Sequence, residues 1–379
     1  NVYQLKIQSY NAQNRLVEAL NTGLEVLKLL GISFPQNPNA LNIVAGLMKT
    51  KLSLGLKRIE DLANLPEMTD PNQQAAMRIL SGIISTAVQA KPRLVPLLAF
   101  RMVKLCIKHG NSPYASIAYI YYAVVMCKLG DISLAYQFGQ LAIRLLDKFP
   151  SRSIKSRVYP TFGSFIHHWK ASVKSGLGEL KEGFKNGMET GDLEFAGYSI
   201  GDYCFKKMSI GEPLDLVEQE TGKYMKLMQQ SQLEMAVQYL SIGRQTALNL
   251  RGHSVEPCDL VGDNFNELNT LPVLIESQSF VLVGLVYYAK TQLNFIFRNY
   301  GEALENSRLF EKYEEVAAGF YVVSLNNFYS SLSLLALYPQ AEKWEQKQYL
   351  KKVLRNQKKM KKWAVDAPMN YQHKYDLVA

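Results

Sequence analysis

Cysteine is sparse, with Cys106, Cys127, Cys204 and Cys258 the four in 379 residues, and no C-x-x-C pair or zinc-type spacing among them. That argues against a disulfide framework and a thiolate metal site. Three of the four sit in apolar helical surroundings, as reduced core thiols do in a cytoplasmic protein. Long apolar runs are missing too: the longest, such as 280–289, fall well short of the roughly 18 to 20 residues needed to cross a bilayer. No transmembrane segment is therefore expected. Alternating strand patterns are almost absent. The start, Asn1-Val2-Tyr3-Gln4-Leu5, shows neither an initiator Met nor a basic region followed by an apolar stretch and a cleavage site. It reads as a piece of a longer polypeptide.

What is present is ordinary globular material: 47% hydrophobic and 20% charged residues, enough apolar surface to fold. A chain of 379 residues exceeds the size at which single cores stop growing, roughly 250 to 300 residues, so it is several domains or one elongated array. Apolar spacing at i, i+3, i+4 and i+7 recurs nearly everywhere between short Gly, Asp, Asn or Pro turns, which makes the fold class all-α. The clearest unit spans 114–148: a helix to Lys128, a turn Leu129-Gly130-Asp131, and a second amphipathic helix from Ser133. Ala123, Gly130, Ala135 and Ala142 fall where a tetratricopeptide-type hairpin, about 34 residues long, takes small residues or a tight turn. The pattern recurs at 281–313, with Phe297-Arg298-Asn299-Tyr300 at the turn and Ala303 at the small position. It also opens the chain, with Gln13-Asn14 at the turn, Ala19 at the small position, and a stripe of Leu16, Leu20, Leu24 and Leu27.

Less regular hairpins are expected at 72–109, 162–190 and 192–228, the last turning at Gly211-Glu212-Pro213. The predicted architecture is a single helical-repeat region over 1–379, a degenerate tetratricopeptide-like right-handed superhelix (α-solenoid) of about eight or nine hairpins. Two stretches break the rhythm, 34–39 and 252–272. The second is long enough for a mobile loop and marks the weakest expected joint.

The net charge of +10 is concentrated: 343–362 carries nine Lys or Arg against one Glu. The remainder is nearly neutral, so a global nucleic-acid footprint is not supported. Leu350, Val353, Leu354, Met360 and Trp363 form an apolar side of this run. Three readings stay open: the solvated face of a capping helix, a patch for an acidic partner or membrane surface, and an RNA-binding helix. Lys351, Lys352, Lys358, Lys359 and Lys362 are its candidate contacts. A second candidate is His168, Trp169 and Lys170, at a turn expected to open onto a groove, with Trp169 either an exposed anchor or a wedge between repeats. His167 and His168 are adjacent, so their imidazoles point about 100° apart and cannot chelate one metal together. Tyrosines cluster at Tyr119, Tyr121 and Tyr122, at Tyr287 and Tyr288, and at Tyr321 and Tyr329. With few Lys or Arg nearby, they read as packing with hydroxyls at the rim rather than as stacking platforms for nucleic acid.

Catalytic patterns fail on context. Gly197-Tyr198-Ser199-Ile200-Gly201 fits G-x-S-x-G, but a nucleophile elbow needs a strand leading in, and Gly191-Asp192-Leu193-Glu194 reads as a helix start. Its glycines are expected to thin a helix for a neighbour. Thr221-Gly222-Lys223-Tyr224 lacks the Ser or Thr and the upstream Gly of a phosphate-binding loop. No enzyme activity, cofactor or metal is expected of the segment.

Several strings carry a resemblance: Glu25-Val26-Leu27-Lys28-Leu29-Leu30-Gly31 followed by a Pro; Leu62-Ala63-Asn64-Leu65-Pro66-Glu67-Met68-Thr69-Asp70-Pro71; His109-Gly110-Asn111-Ser112; Tyr136-Gln137-Phe138-Gly139. Glu189-Thr190-Gly191-Asp192-Leu193-Glu194-Phe195-Ala196 and Gln357-Lys358-Lys359-Met360-Lys361-Lys362-Trp363-Ala364 follow. In order along the chain, they resemble the helical region after the P-loop ATPase module of very large cyanobacterial-type signalling proteins. Those proteins string a serine/threonine kinase, the ATPase, this region, a GAF domain and a sensor histidine kinase on one chain. The resemblance implies a scaffold or sensor between switch and output domains, contacting flanking domains or protein partners. The alternative is a receptor whose concave groove binds a small-molecule inducer.

Overall fold

The computed structural model describes residues 2–13 and 15–379; Asn14 of the first predicted turn lies outside them. All regular secondary structure of the described residues is helical, without a strand, and they fall into two compact units that divide between Thr161 and Phe162. The first holds α1 (Val2–Ala12), α2 (Leu16–Leu29), α3 (Ala40–Leu54), α4 (Pro71–Ala90), α5 (Val95–His109), α6 (Ala115–Lys128) and α7 (Ile132–Lys148), and α8 (Arg152–Phe165) contains the division. The second holds α9 (Leu177–Thr190), α10 (Leu193–Ser209), α11 (Leu214–Gln230), α12 (Glu234–Leu250) and α13 (Glu267–Glu276). It continues through α14 (Phe280–Ile296), α15 (Tyr300–Glu311), α16 (Tyr321–Leu337), α17 (Lys343–Asp366) and α18 (Pro368–Val378). Among the described residues no helix is long and apolar enough to cross a membrane.

In unit 1 the hairpin predicted at 114–148 is α6 and α7. Gly130 turns it at φ +83°, a left-handed conformation that Cβ disfavours. Asp131 then caps α7 by accepting from the Leu134 amide at 3.2 Å, satisfying one of the helix's orphan donors. Ala123, Ala135 and Ala142 are at most 1% exposed, and their small size lets the helices close until the Tyr122 and Phe138 rings meet edge-on at 4.6 Å. Tyr119 and Tyr122 are wholly buried, so the predicted rim position of the hydroxyls does not hold here. The Tyr119 hydroxyl donates to Asn111 Oδ1 at 3.3 Å, and burial first, then the Asp131 charge, push Tyr122 up to about 12.

Two of the strings that carried the resemblance meet. The 62–71 strap lies on His109-Gly110-Asn111: the Met68 amide donates to the Asn111 carbonyl at 2.7 Å, and the Asn111 amide to the Pro66 carbonyl at 2.8 Å. Gly110 has φ +93°, and a Cβ there would stand 2.2 Å from the Pro66 oxygen, so no other residue fits. Lys148 adds hydrogen bonds to the Ala63 and Leu65 carbonyls.

In unit 2 the predicted pairing shifts by one helix. α10 packs on α9 and α12, with α11 a lesser neighbour, so the hairpins are α9/α10, α11/α12 and α14/α15 rather than one spanning 192–228. The G-x-S-x-G sequence lies inside α10, where Ser199 is buried and donates to the Leu180 carbonyl at 2.6 Å. A Cβ on Gly197 would meet Ala236 Cβ at 2.7 Å, and one on Gly201 the Tyr239 ring at 2.4 Å. These glycines admit α12. Side chains from outside hold the 252–272 stretch: Asn249 Nδ2 donates to the Pro257 and Asp259 carbonyls, Arg244 joins Glu218 to Asn264, and Lys290 pairs with Glu267 at 2.5 Å and Asp259 at 3.6 Å. The compact units divide at 161/162, outside that segment.

Gly130→Val should destabilise the chain by about 1 to 3 kcal/mol through the left-handed turn. Ala135→Leu should cost more, by overpacking a site 1% exposed. Thermal melts read both, and an unchanged melting temperature for either contradicts the hairpin's geometry.

Candidate interaction surface

The turn bearing His168 and Trp169 does not open onto a groove. Residues His167–Trp169 form a single 3-10 turn after α8, and all three side chains are buried. Trp169, 5% exposed, donates its indole N–H to the Gly319 carbonyl at 3.2 Å. It stacks on Tyr371 at 5.7 Å and 25° and tilts against Trp363 at 5.5 Å. The wedge alternative describes its position, with the difference that the partners are α17 and α18 rather than the next repeat. Lys170 is held too, at 2.5 Å from Asp366 at the end of α17.

Asn370, which sequence reasoning passed over, completes this junction. Its Oδ1 accepts from the Val173 amide at 3.1 Å, and its Nδ2 donates to the His168 carbonyl at 2.8 Å and the Ala171 carbonyl at 2.7 Å. One buried carboxamide thus satisfies three backbone groups of a turn about 200 residues away. Lys374, one turn on, donates to the Asn370 carbonyl at 2.9 Å, and burial lowers its pKa to about 8.

Beneath the turn lies a polar centre with no signature in the sequence. Asp202 and Lys206 are 3.0 Å apart at 2–3% side-chain exposure, Ser164 donates to Asp202 at 2.9 Å, and Lys206 donates to the Gly163 carbonyl. Burial, then the Asp202 carboxylate, hold the Tyr239 hydroxyl well above its ordinary pKa. His168 is wholly buried, and neither ring nitrogen makes a hydrogen bond of good geometry. Burial first, then the Lys206 and His167 charges, keep its pKa well below the ordinary imidazole value, against a small opposing contribution from the Gly163 carbonyl.

His167 sits between Ser175 Oγ at 2.9 Å and Glu179 Oε1 at 3.3 Å, the order of a Ser-His-Glu set. The chemistry does not follow. The Ser175 hydroxyl donates to the Ser172 carbonyl at 2.8 Å, and the His167 Nδ1 contact is too far off line to be a hydrogen bond. Two pockets beside α10, of about 10 and 20 Å³, each admit one water and no larger ligand. Among the described residues no cluster of three or more His, Cys, Asp or Glu could hold a metal.

The basic run forms α17, whose buried side is Val353, Asn356, Met360 and Ala364. Of the five candidate lysines, Lys352 pairs with Glu311 at 2.5 Å and Lys359 with Glu314 at 3.1 Å, so these two brace α17 against the end of α15 and the segment after it. Lys351, Lys358 and Lys362 are on the exposed side. A further surface went unnoticed in the sequence: Leu41, Val44, Met48 and Leu52 of α3 are each more than half exposed.

No family model matches the chain. Hybrid signal transduction histidine kinase G of Dictyostelium discoideum is 22% identical over 273 residues, covering 66% of this chain and 8% of that protein. The chain therefore spans a small fraction of this relative's length, and the similarity relates it to signalling proteins.

Two variants probe the junction. Asn370→Ala removes the partner of three backbone groups, two of them in buried hydrogen bonds and one part-buried, and should cost about 2 to 4 kcal/mol, read by denaturant unfolding; a loss below about 0.5 kcal/mol contradicts the clamp. His168 is neutral when folded, so below the ordinary imidazole pKa the unfolded chain binds a proton that the native state refuses, and stability falls with acid. His168→Phe should flatten that loss between about pH 6.5 and 5, and identical acid profiles for the two proteins exclude it.

Proposed function

We propose that this chain is a non-catalytic helical-repeat region, tetratricopeptide-like in build, that makes interdomain or protein contacts inside a multidomain signalling protein. The observation that carries the reading is α3. Between Ala40 and Leu54 ten of its fifteen residues are apolar or Gly, and all but Gly46 spread over about 200° of its circumference, interrupted by Lys51 and wider than one packed face needs. Yet it packs chiefly against α5: Gly46 lies against Phe100 and Leu97, while Leu41, Val44, Met48 and Leu52 face outward at 78%, 57%, 56% and 77% exposure. Such a stripe fits another segment of the signalling chain or a partner helix.

Two further features support this reading. Helices pack on their second neighbours in series, α10 on α12, α12 on α14 and α14 on α16, as stacked hairpins do. The distant likeness is to a large histidine kinase, of which a region this size is a small part. The inducer-receptor alternative requires a cavity of about 300 Å³ or more, and the pockets beside α10 hold about 10 and 20 Å³. A P-loop ATPase neighbour, and serine/threonine and histidine kinase modules on the same polypeptide, belong to this proposal through the resemblance alone.

The test is oxidative footprinting of Met48, 56% exposed here, in the segment alone and in the full signalling polypeptide. Met48 should oxidise readily in the first and at least several-fold more slowly in the second; equal rates overturn the reading. The segment alone should show no saturable ATP binding by calorimetry at micromolar concentrations, and a saturable isotherm contradicts its non-catalytic assignment.

A further inference from the structure

Beyond interdomain contact, we propose that the outer face of α17 is a docking surface for a bilayer carrying anionic lipid headgroups. The helix is 24 residues long, about 36 Å at 1.5 Å per residue. At 100° per residue, Lys343, Lys347, Lys351, Lys358 and Lys361 fall within an arc of about 80°, and all are exposed. No carboxylate lies on that arc. The acids that meet α17 from α15 and the segment after it, Glu311 and Glu314, neutralise Lys352 and Lys359 on its flank. The outward charge stays uncompensated.

Apolar side chains rise among them: Leu354 at 70% exposure and Val365 at 79% on the arc itself, and Trp344 at 64% and Leu350 at 40% about 20° beyond its two edges. They stand near the start, middle and end of the helix rather than in one cluster. A protein interface concentrates its anchors near a packed centre. Widely spaced apolar teeth between lysines match a laminar surface, where each enters the headgroup boundary while the neighbouring ammonium groups stay with phosphates. Five lysines lie in the range at which a basic helix recognises anionic lipid. The opposite side of α17 is fixed in unit 2 by Val353, Met360 and Ala364, so the face is presented without a folding step.

Flotation with phosphatidylcholine vesicles, with or without about 30 mol% phosphatidylserine, tests this. The chain should float only with the anionic vesicles, less at higher salt, and Trp344 fluorescence should shift to the blue. The combined change Lys347→Gln, Lys351→Gln, Lys358→Gln and Lys361→Gln should weaken partitioning at least tenfold, since each basic residue contributes on the order of fivefold. Leu354→Gln with Val365→Gln should weaken it several-fold without changing charge. All six positions are exposed, so melting temperatures should hold. Absence of flotation with anionic vesicles overturns the proposal. So does binding to soluble polyglutamate as tight as to vesicles with no effect of the Leu354 and Val365 changes, which marks a surface for acidic polypeptides. Neither result touches Met48 protection, which tests the interdomain reading separately.

Discussion

The Asn370 carboxamide, bonded to three backbone groups of the 168–173 turn, ties the first and last elements of unit 2 together. If the intervening chain of about 200 residues were free, closing it would cost on the order of 5 kcal/mol in entropy. Helices α9 to α16 already fix most of that chain, so the actual cost is smaller. Against it stand the burial of Trp169 and Tyr371, each contributing roughly 1.5 to 3 kcal/mol, and ring contacts among Trp169, Trp363 and Tyr371. Burial exceeds closure. The hydrogen bonds then select one register, because a slipped α18 would leave the turn's amide and carbonyls buried without partners.

That tie sets what the rest of unit 2 can present. With Trp363 and Asp366 engaged by Trp169 and Lys170, and Lys352 and Lys359 by Glu311 and Glu314, α17 cannot rotate about its axis. Its lysines point outward for a geometric reason. The buried Asp202–Lys206 pair adds little net stability after desolvation, yet it demands that Gly163, Ser164 and α10 meet in one arrangement. Unit 1 offers a different surface, the apolar flank of α3.

Much of the helical framework was legible because its causes are local. Small residues at Ala19, Ala135, Ala142 and Ala303 marked buried positions, Gly130 and Arg298 fell at left-handed turns, and the glycines around Ser199 marked a close helix approach. What escaped lies in pairings across distance. An exposed and a buried tryptophan look alike until a stacking partner 202 positions away is known. Lysine spacing on one helix cannot say that Lys352 meets Glu311 while Lys351 meets solvent. The α3 stripe was hidden because an apolar helix reads as core, and only the fold tells which of its sides is covered. The 252–272 stretch, rich in Pro, Asn and Gly, looked loose because its anchors, Asn249, Arg244 and Lys290, lie outside it.

Native-state hydrogen exchange is the most direct test of the central claim, that unit 2 is a closed platform rather than an open array with a fraying end. Amides of α18 and of the 168–176 turn should share one high opening free energy and lose protection together in rising denaturant. Exchange of α18 at the rate of a frayed terminal helix, with the turn still protected, would contradict the closure.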